Sequence, residues 1–188
     1  MKNSRTAALV ALACAFALPA CGNSETDAAA DPAETTMQAG NASLQATVEK
    51  MDEVSTAYDL VADSGLKDPF EGAGSYTVFL PDNEAFAAIP KEELERLKTP
   101  EGRPELIAFL RRHIAVGAIA WEDLDKKLQE NGGSIQLASV SEEPISIRRV
   151  DGKVMLGGGD DAPSLTGQAQ AASNGVVYVI DGLIGPEG

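Results

Sequence analysis

An α+β domain is the fold class this sequence predicts, on three observations. Through the first half of the chain, apolar residues recur at three- and four-residue spacing, the period of a helix with one buried face. Beyond Gly132-Gly133 the pattern changes to alternation at period two, the mark of half-buried strands. The chain then closes on Val176-Val177-Tyr178-Val179-Ile180, an almost wholly apolar strand. Helices first and antiparallel strands after them make an α+β domain. With 188 residues, 44% hydrophobic and 23% charged, the composition is that of one soluble globular domain with short extras.

The elements follow in chain order. Residues 1–20 read MKNSRTAALVALACAFALPA: Lys2 and Arg5 give a positive start, residues 7–17 an uncharged apolar run, and Leu18-Pro19-Ala20 a small-residue boundary. The apolar run is too short to cross a bilayer, so this segment reads as a secretory signal peptide. Leu18-Pro19-Ala20-Cys21 resembles the bacterial lipoprotein box, in which the cysteine becomes the new N-terminus and takes a lipid. Simple secretion with a free Cys21 is the alternative. Gly22 stands where inner-membrane retention typically needs Asp, which favours anchoring at the outer membrane. Cys14 falls inside the signal, so the exported chain keeps one cysteine and no intramolecular disulfide. Residues 21–43 are small, acidic and polar, a flexible linker, and residues 44–188 form the domain.

Within the domain, Val48, Met51, Val54, Tyr58 and Val61 mark one face of a single helix, stopped at Gly65. Tyr76-Thr77-Val78-Phe79-Leu80 is a buried strand ending at Pro81, and Asp82 is placed to cap a helix over residues 83–89. Pro90 opens a charged helix, KEELERLK. Residues 105–116 carry the strongest helical pattern, with Leu106, Phe109, Leu110, His113 and Ile114 on one stripe. Residues 121–128 make a short helix whose Trp121 is expected to pack on the core as an anchor. Strands follow at residues 134–137, 145–148 and 153–156, with Asp151-Gly152 as the hairpin turn between the last two.

Composition also excludes. Fifteen Lys and Arg against 29 Asp and Glu leave a net charge of −14, which repels phosphate backbones, and aromatics at 5% offer no base-stacking platform. One histidine and two cysteines are too few for a usual zinc site. No Gly-x-Ser-x-Gly elbow and no paired-carboxylate motif occurs, so the reading is no enzyme, no catalytic residue, no metal and no cofactor.

Two longer motifs add a resemblance. Tyr76-Thr77-Val78-Phe79-Leu80-Pro81-Asp82-Asn83-Glu84-Ala85-Phe86 is similar to the opening signature of fasciclin-like domains, T-V-F-A-P-T-[ND]-E-A-F. Asn174-Gly175-Val176-Val177-Tyr178-Val179-Ile180-Asp181-Gly182 is similar to the closing one, N-G-V-[IV]-[HY]-V-I-D. His113, followed by Gly117 and Asp123-Leu124, sits where that family places its histidine segment. The resemblance implies a single wedge of two antiparallel sheets with a helical layer. It also implies an extracytoplasmic adhesion or interaction module in the periplasm or on the cell surface, meeting a polymer, glycan or protein, with the membrane reached through the acyl anchor alone. The alternative is a carrier of a small apolar ligand such as a carotenoid or lipid.

The candidate residues divide accordingly. Cys21 is the lipidation site; Thr77, Phe79, Pro81, Asp82, Phe86, His113, Asn174, Gly175 and Asp181 form the structural motif. Leu80, Phe86 and Ile114 are the candidate lining of an apolar groove. His113, on an apolar stripe, reads as a buried ring satisfied by hydrogen bonds rather than as an acid–base catalyst. Gly157-Gly158-Gly159-Asp160-Asp161 lacks both the Lys-Ser/Thr of a phosphate loop and the spaced carboxylates of a calcium hand, and reads as an acidic surface loop. Arg111-Arg112, Lys126-Lys127 and Arg148-Arg149 are basic doublets that would make an anion site only if they converged.

Overall fold

The computed structural model describes residues 40–159, 161–167 and 169–185. The signal segment, Cys21, most of the expected linker and Asp160 lie outside the described residues. The helical half holds α1 (Leu44–Val48), a 3-10 turn (Asp52–Val54), α2 (Ser55–Ser64) and α3 (Asp68–Glu71). After β1 (Tyr76–Pro81) come α4 (Asn83–Ala87), α5 (Lys91–Lys98), α6 (Arg103–Arg112), β2 (Ile114–Val116) and α7 (Trp121–Glu130). The strands β3 (Ser134–Leu137), β4 (Ile145–Val150), β5 (Lys153–Leu156), β6 (Gln170–Ala172) and β7 (Gly175–Ile180) complete the chain.

Two helices differ from their sequence patterns. The single helix expected through Val48 and Val61 is two, broken at Met51, which is extended. Its apolar spacing still holds, because Val48, Met51, Val54 and Val61 are all buried. The break is stabilised from outside: the Asn83 amide donates to Asp52 O at 2.8 Å and accepts from Thr56 N at 3.0 Å, supplying partners that a continuous helix would have supplied. The helix expected to run to Val116 ends at Arg112, with His113 as its cap and residues 114–116 in β2. Ile114 and Ala115 complete the stripe as buried strand residues, pairing with Val78 and Thr77 on β1. A free strand edge beside β-branched Ile114 and Val116 outweighs helical periodicity there.

The seven strands form two sheets, ordered β2-β1-β7-β6 and β3-β4-β5. The second is antiparallel throughout, but in the first β1 runs parallel to β7, from Tyr76 opposite Gly175 to Pro81 opposite Ile180. The expectation of two wholly antiparallel sheets is corrected at that pair, which joins the two signature motifs side by side. The sheets also meet along both margins. At one, Val116 N–H donates to Ala138 O and Val140 N–H to Ile114 O; at the other, Leu165 N–H donates to Val154 O and Thr166 N–H to Val179 O.

This arrangement makes two cores. Alternate residues of β1 and β7 face opposite ways: Val78, Leu80, Val177 and Val179 pack against the helices, with Leu60, Phe86, Leu106 and Leu110. Phe79, Val176, Tyr178 and Ile180 face the second sheet, with Leu124, Leu128, Ile147 and Leu156. Strands buried on both faces must be apolar along their whole length, which is why these two read as continuous runs. Each fully buried large side chain contributes about 1.5–3 kcal/mol. The domain is already docked before its expected start, since Ser173 N–H donates to Ala42 O at 2.7 Å.

Candidate functional site

Six polar residues of the two signatures, Thr77, Asp82, Asn83, Asn174, Tyr178 and Asp181, cluster around β1 and β7 and are spent on internal hydrogen bonds. Thr77 Oγ1 donates to Gly117 O at 2.7 Å and accepts from Ile119 N at 2.9 Å, clamping the segment after β2. Tyr178 stacks on Phe79 with ring centroids 5.5 Å apart, and its hydroxyl donates to Ile119 O at 3.0 Å. Burial first, then the Glu122 and Asp123 carboxylates, push the Tyr178 phenol above its ordinary range. Pro81 ends β1, and Asp82 caps α4 by accepting from Ala85 N at 2.7 Å. Asp181 accepts from both Ser164 N and Ser164 Oγ, at 2.6 and 2.5 Å.

Asn174 works as a three-way tie. Its Oδ1 accepts from Leu44 N at 2.7 Å, while Nδ2 donates to Phe70 O at 3.3 Å and Gly72 O at 3.2 Å. Gly175 follows at a place where a Cβ would stand 2.1 Å from Tyr76 O. His113 is buried, with Nδ1 2.9 Å from Phe109 O and Nε2 3.0 Å from Ile184 N. Only the neutral ring with its proton on Nδ1 serves both contacts, donating to Phe109 O and accepting from Ile184 N–H. Burial pushes its pKa down to about 4, with Arg112 adding to the lowering and the Phe109 bond opposing it. The side chain that could have served acid–base chemistry instead pins the chain's closing segment to the end of α6.

Leu80, Phe86 and Ile114 do come together, but not around a groove. With Phe70 and Phe109 they surround a void of about 10 Å³. That admits no more than a single water, so the expected groove is a filled core. Nothing in this space favours carriage of a carotenoid or lipid.

What remains for recognition is the outer surface. An open cleft of about 410 Å³ lies between the end of α6 and residues 140–143, lined by Ala108, Arg111, Arg112, Val140, Glu142 and Glu143. The other basic doublets do not converge on it: Arg148 donates to Gly159 O, Arg149 pairs with Asp125, and Lys126 lies 3.9 Å from Glu130. Trp121 is not the expected core anchor. It is 39% exposed at the start of α7, and Leu124 and Leu128 fix that helix to the core instead. The sequence reading passed over Asn83 and Ser164 as ties, and the surface loop that ends in Trp121. A signal for that loop was present in IAVGAIAW, eight uncharged residues in a chain that is 23% charged.

Comparison with known proteins agrees with this frame. The sequence profile of the Fasciclin domain matches residues 52–186. Protein sll1483 of Synechocystis sp. is 33% identical over 132 residues, covering 70% of this chain and 67% of that protein. Transforming growth factor-beta-induced protein ig-h3 of Sus scrofa is 31% identical over 154 residues, 77% of this chain but 19% of that much longer protein. Among solved structures, the FAS1 domain pair from the insect cell adhesion molecule Fasciclin I superposes with a TM-score of 0.67 at 19% identity, covering 78% of this chain and 52% of that one, which speaks to fold alone. Among the described residues no helix is long and apolar enough to cross a membrane. The chain belongs to the fasciclin domain family, whose members are generally non-enzymatic adhesion or interaction modules, typically extracellular or secreted.

Proposed function

We propose that this chain is an exported adhesion module, held at the outer membrane by acylated Cys21 and binding envelope polymers, other cells or proteins through its outer surface. The observation that carries the reading is the spending of Thr77, His113, Asn174 and Asp181 on internal ties, around a Leu80–Phe86–Ile114 region with room for no more than a water. Recognition then falls to surface side chains, as befits a relative of domains found in a cell adhesion molecule. The acidic linker expected after Cys21 would act as a tether. Acyl chains contribute about 0.8 kcal/mol per buried methylene, so two or more on one cysteine hold such a domain firmly.

Two measurements test this. The N-terminal peptide of protein purified from its own host's membranes should carry diacyl- or triacyl-Cys21; an unmodified cysteine removes the anchor. Beads coated with the exported chain should retain host cells or envelope polysaccharide, with retention falling as salt rises. Beads that retain neither at low salt would remove the adhesion reading.

A further inference from the structure

The chain has two Asn-Gly steps, Asn131-Gly132 and Asn174-Gly175, and the fold treats them oppositely. Such a step carries its own chemistry. The glycine backbone nitrogen, on losing its proton to solvent, attacks the asparagine Cγ; the side-chain amide takes up a proton and leaves as ammonia. A cyclic imide closes, and water opens it at either carbonyl, giving aspartate or isoaspartate with nothing oxidised or reduced. Glycine favours the attack because it has no Cβ in the way and its backbone turns freely. Asn131 caps the end of α7 in solvent, and its Nδ2 donates to Lys127 O at 2.8 Å. Gly132 and Gly133 follow at φ +69 and +88, with open space around Gly132. Gly133 N–H donates to Leu128 O at 2.7 Å, whereas Gly132 N–H donates to nothing among the described residues. Asn174 is the reverse case. Its side chain is bound to Leu44, Phe70 and Gly72, and Gly175 is buried in β7 between Ala172 of β6 and Tyr76 of β1.

We propose that Asn131 is a site of deamidation in the folded domain, while Asn174 is shielded and converts only when the domain opens. At Asn131 both the nucleophile and the carbon it attacks are accessible, and a helix end in solvent frays at little cost. At Asn174 the same approach would break three side-chain bonds and draw Gly175 out from between two strands. The consequences differ as well. A carboxylate at position 131 cannot donate to Lys127 O, and its charge meets the negative end of the α7 dipole. Isoaspartate also lengthens the main chain where α7 turns towards β3. Conversion therefore loosens the last turn of α7, beside Leu128 in the second core. A carboxylate at position 174 would face Phe70 O and Gly72 O, so a chain converted while open cannot re-form that tie. None of this depends on what the outer surface binds.

The test uses the exported chain with Cys21→Ser, held in mildly alkaline buffer with and without unfolding urea. Peptide mass spectrometry then reads each asparagine. In the folded chain the Asn131 peptide should gain aspartyl and isoaspartyl forms, carrying heavy oxygen when the water is so labelled. Asn174 should convert at least about a hundredfold more slowly, because it waits on the opening of a core strand. In urea the two should convert at comparable rates. An Asn131 that stays intact in the folded chain while converting in urea would overturn the proposal. So would an Asn174 that converts as fast as Asn131 without urea. The converted protein, separated by its added charge, should melt below the parent, as should Asn131→Asp; equal midpoints would overturn the loosening of α7.

Discussion

His113 takes part in two hydrogen bonds only while its ring is neutral, and that gives the fold an acid limit. An unfolded histidine titrates near 6.5, whereas burial pushes the folded group down to about 4. Above pH 6.5 both states are neutral and the stabilisation is complete. As pH falls below 6.5 the unfolded chain binds the proton first, and stability is lost progressively until the folded ring titrates near pH 4. The loss is on the order of 3 kcal/mol. Urea midpoints measured from pH 7.5 to 4.5 should fall more steeply for the native chain than for His113→Gln; parallel curves would clear His113 of the effect. Asn174 sets a second residue-scale expectation. Asn174→Ala leaves Leu44 N–H without its acceptor and Phe70 O and Gly72 O without their donor, at a cost of about 3 kcal/mol. Asn174→Asp keeps the acceptor but turns an oxygen towards two carbonyls, so urea titration should find it no more stable than the alanine variant.

At the scale of elements, the β1–β7 pair governs the domain, and two glycines show how differently a turn and a strand contact depend on a missing Cβ. Gly152 has φ +83 beside Asp151 at φ +50 in the β4–β5 hairpin, with open space around it. Gly152→Ala meets backbone strain alone and should cost about 1 kcal/mol. Gly175→Ala would press its methyl against Tyr76 O and Leu44 Cδ1, forcing the parallel strands apart, and should cost about 3 kcal/mol or more. Thermal melts should preserve that order; equal losses would mean that the sheet yields. The hairpin was legible in Asp151-Gly152, as were β1 and β7, because strands buried on both faces announce themselves as unbroken apolar runs. The parallel pairing was not legible, since nothing in one strand's pattern records the direction of its neighbour. Nor was the end of α6, where residues 113–116 continue a helical period while a strand edge waits beside them. The site was legible only as motifs. The sequence offered Thr77, Asn174 and Asp181 as members of a structural motif, but which distant carbonyls and amides they tie is a property of the closed fold.

For the whole molecule the dominant electrostatic fact is a net charge of −14, not its ion pairs. Arg96 holds Glu93 and Glu105 at 2.6 and 2.8 Å and keeps the Glu93 carboxyl below its ordinary range, yet all three side chains are largely in solvent. Exposed pairs of this kind are screened by water and contribute little to stability. Self-repulsion among the carboxylates acts on the folded chain more than on the expanded one, and it is long-ranged when the Debye length is about 30 Å, in 0.01 M salt. Raising salt to about 0.15 M shortens that length to about 8 Å and should stabilise the domain. A gain on the order of 1 kcal/mol corresponds to a thermal midpoint about 3 °C higher. A midpoint that falls with salt would mean that the ion pairs outweigh the net charge. The same screening isolates the histidine. At low salt, acid protonates carboxylates and relieves repulsion, raising stability while His113 lowers it, so the two partly cancel. At high salt the repulsion is already damped, and the decline between pH 6.5 and 4 should emerge more steeply. Stability mapped over both pH and salt should therefore show an acid slope that grows with ionic strength in the native chain, with a smaller decline in His113→Gln at every salt concentration.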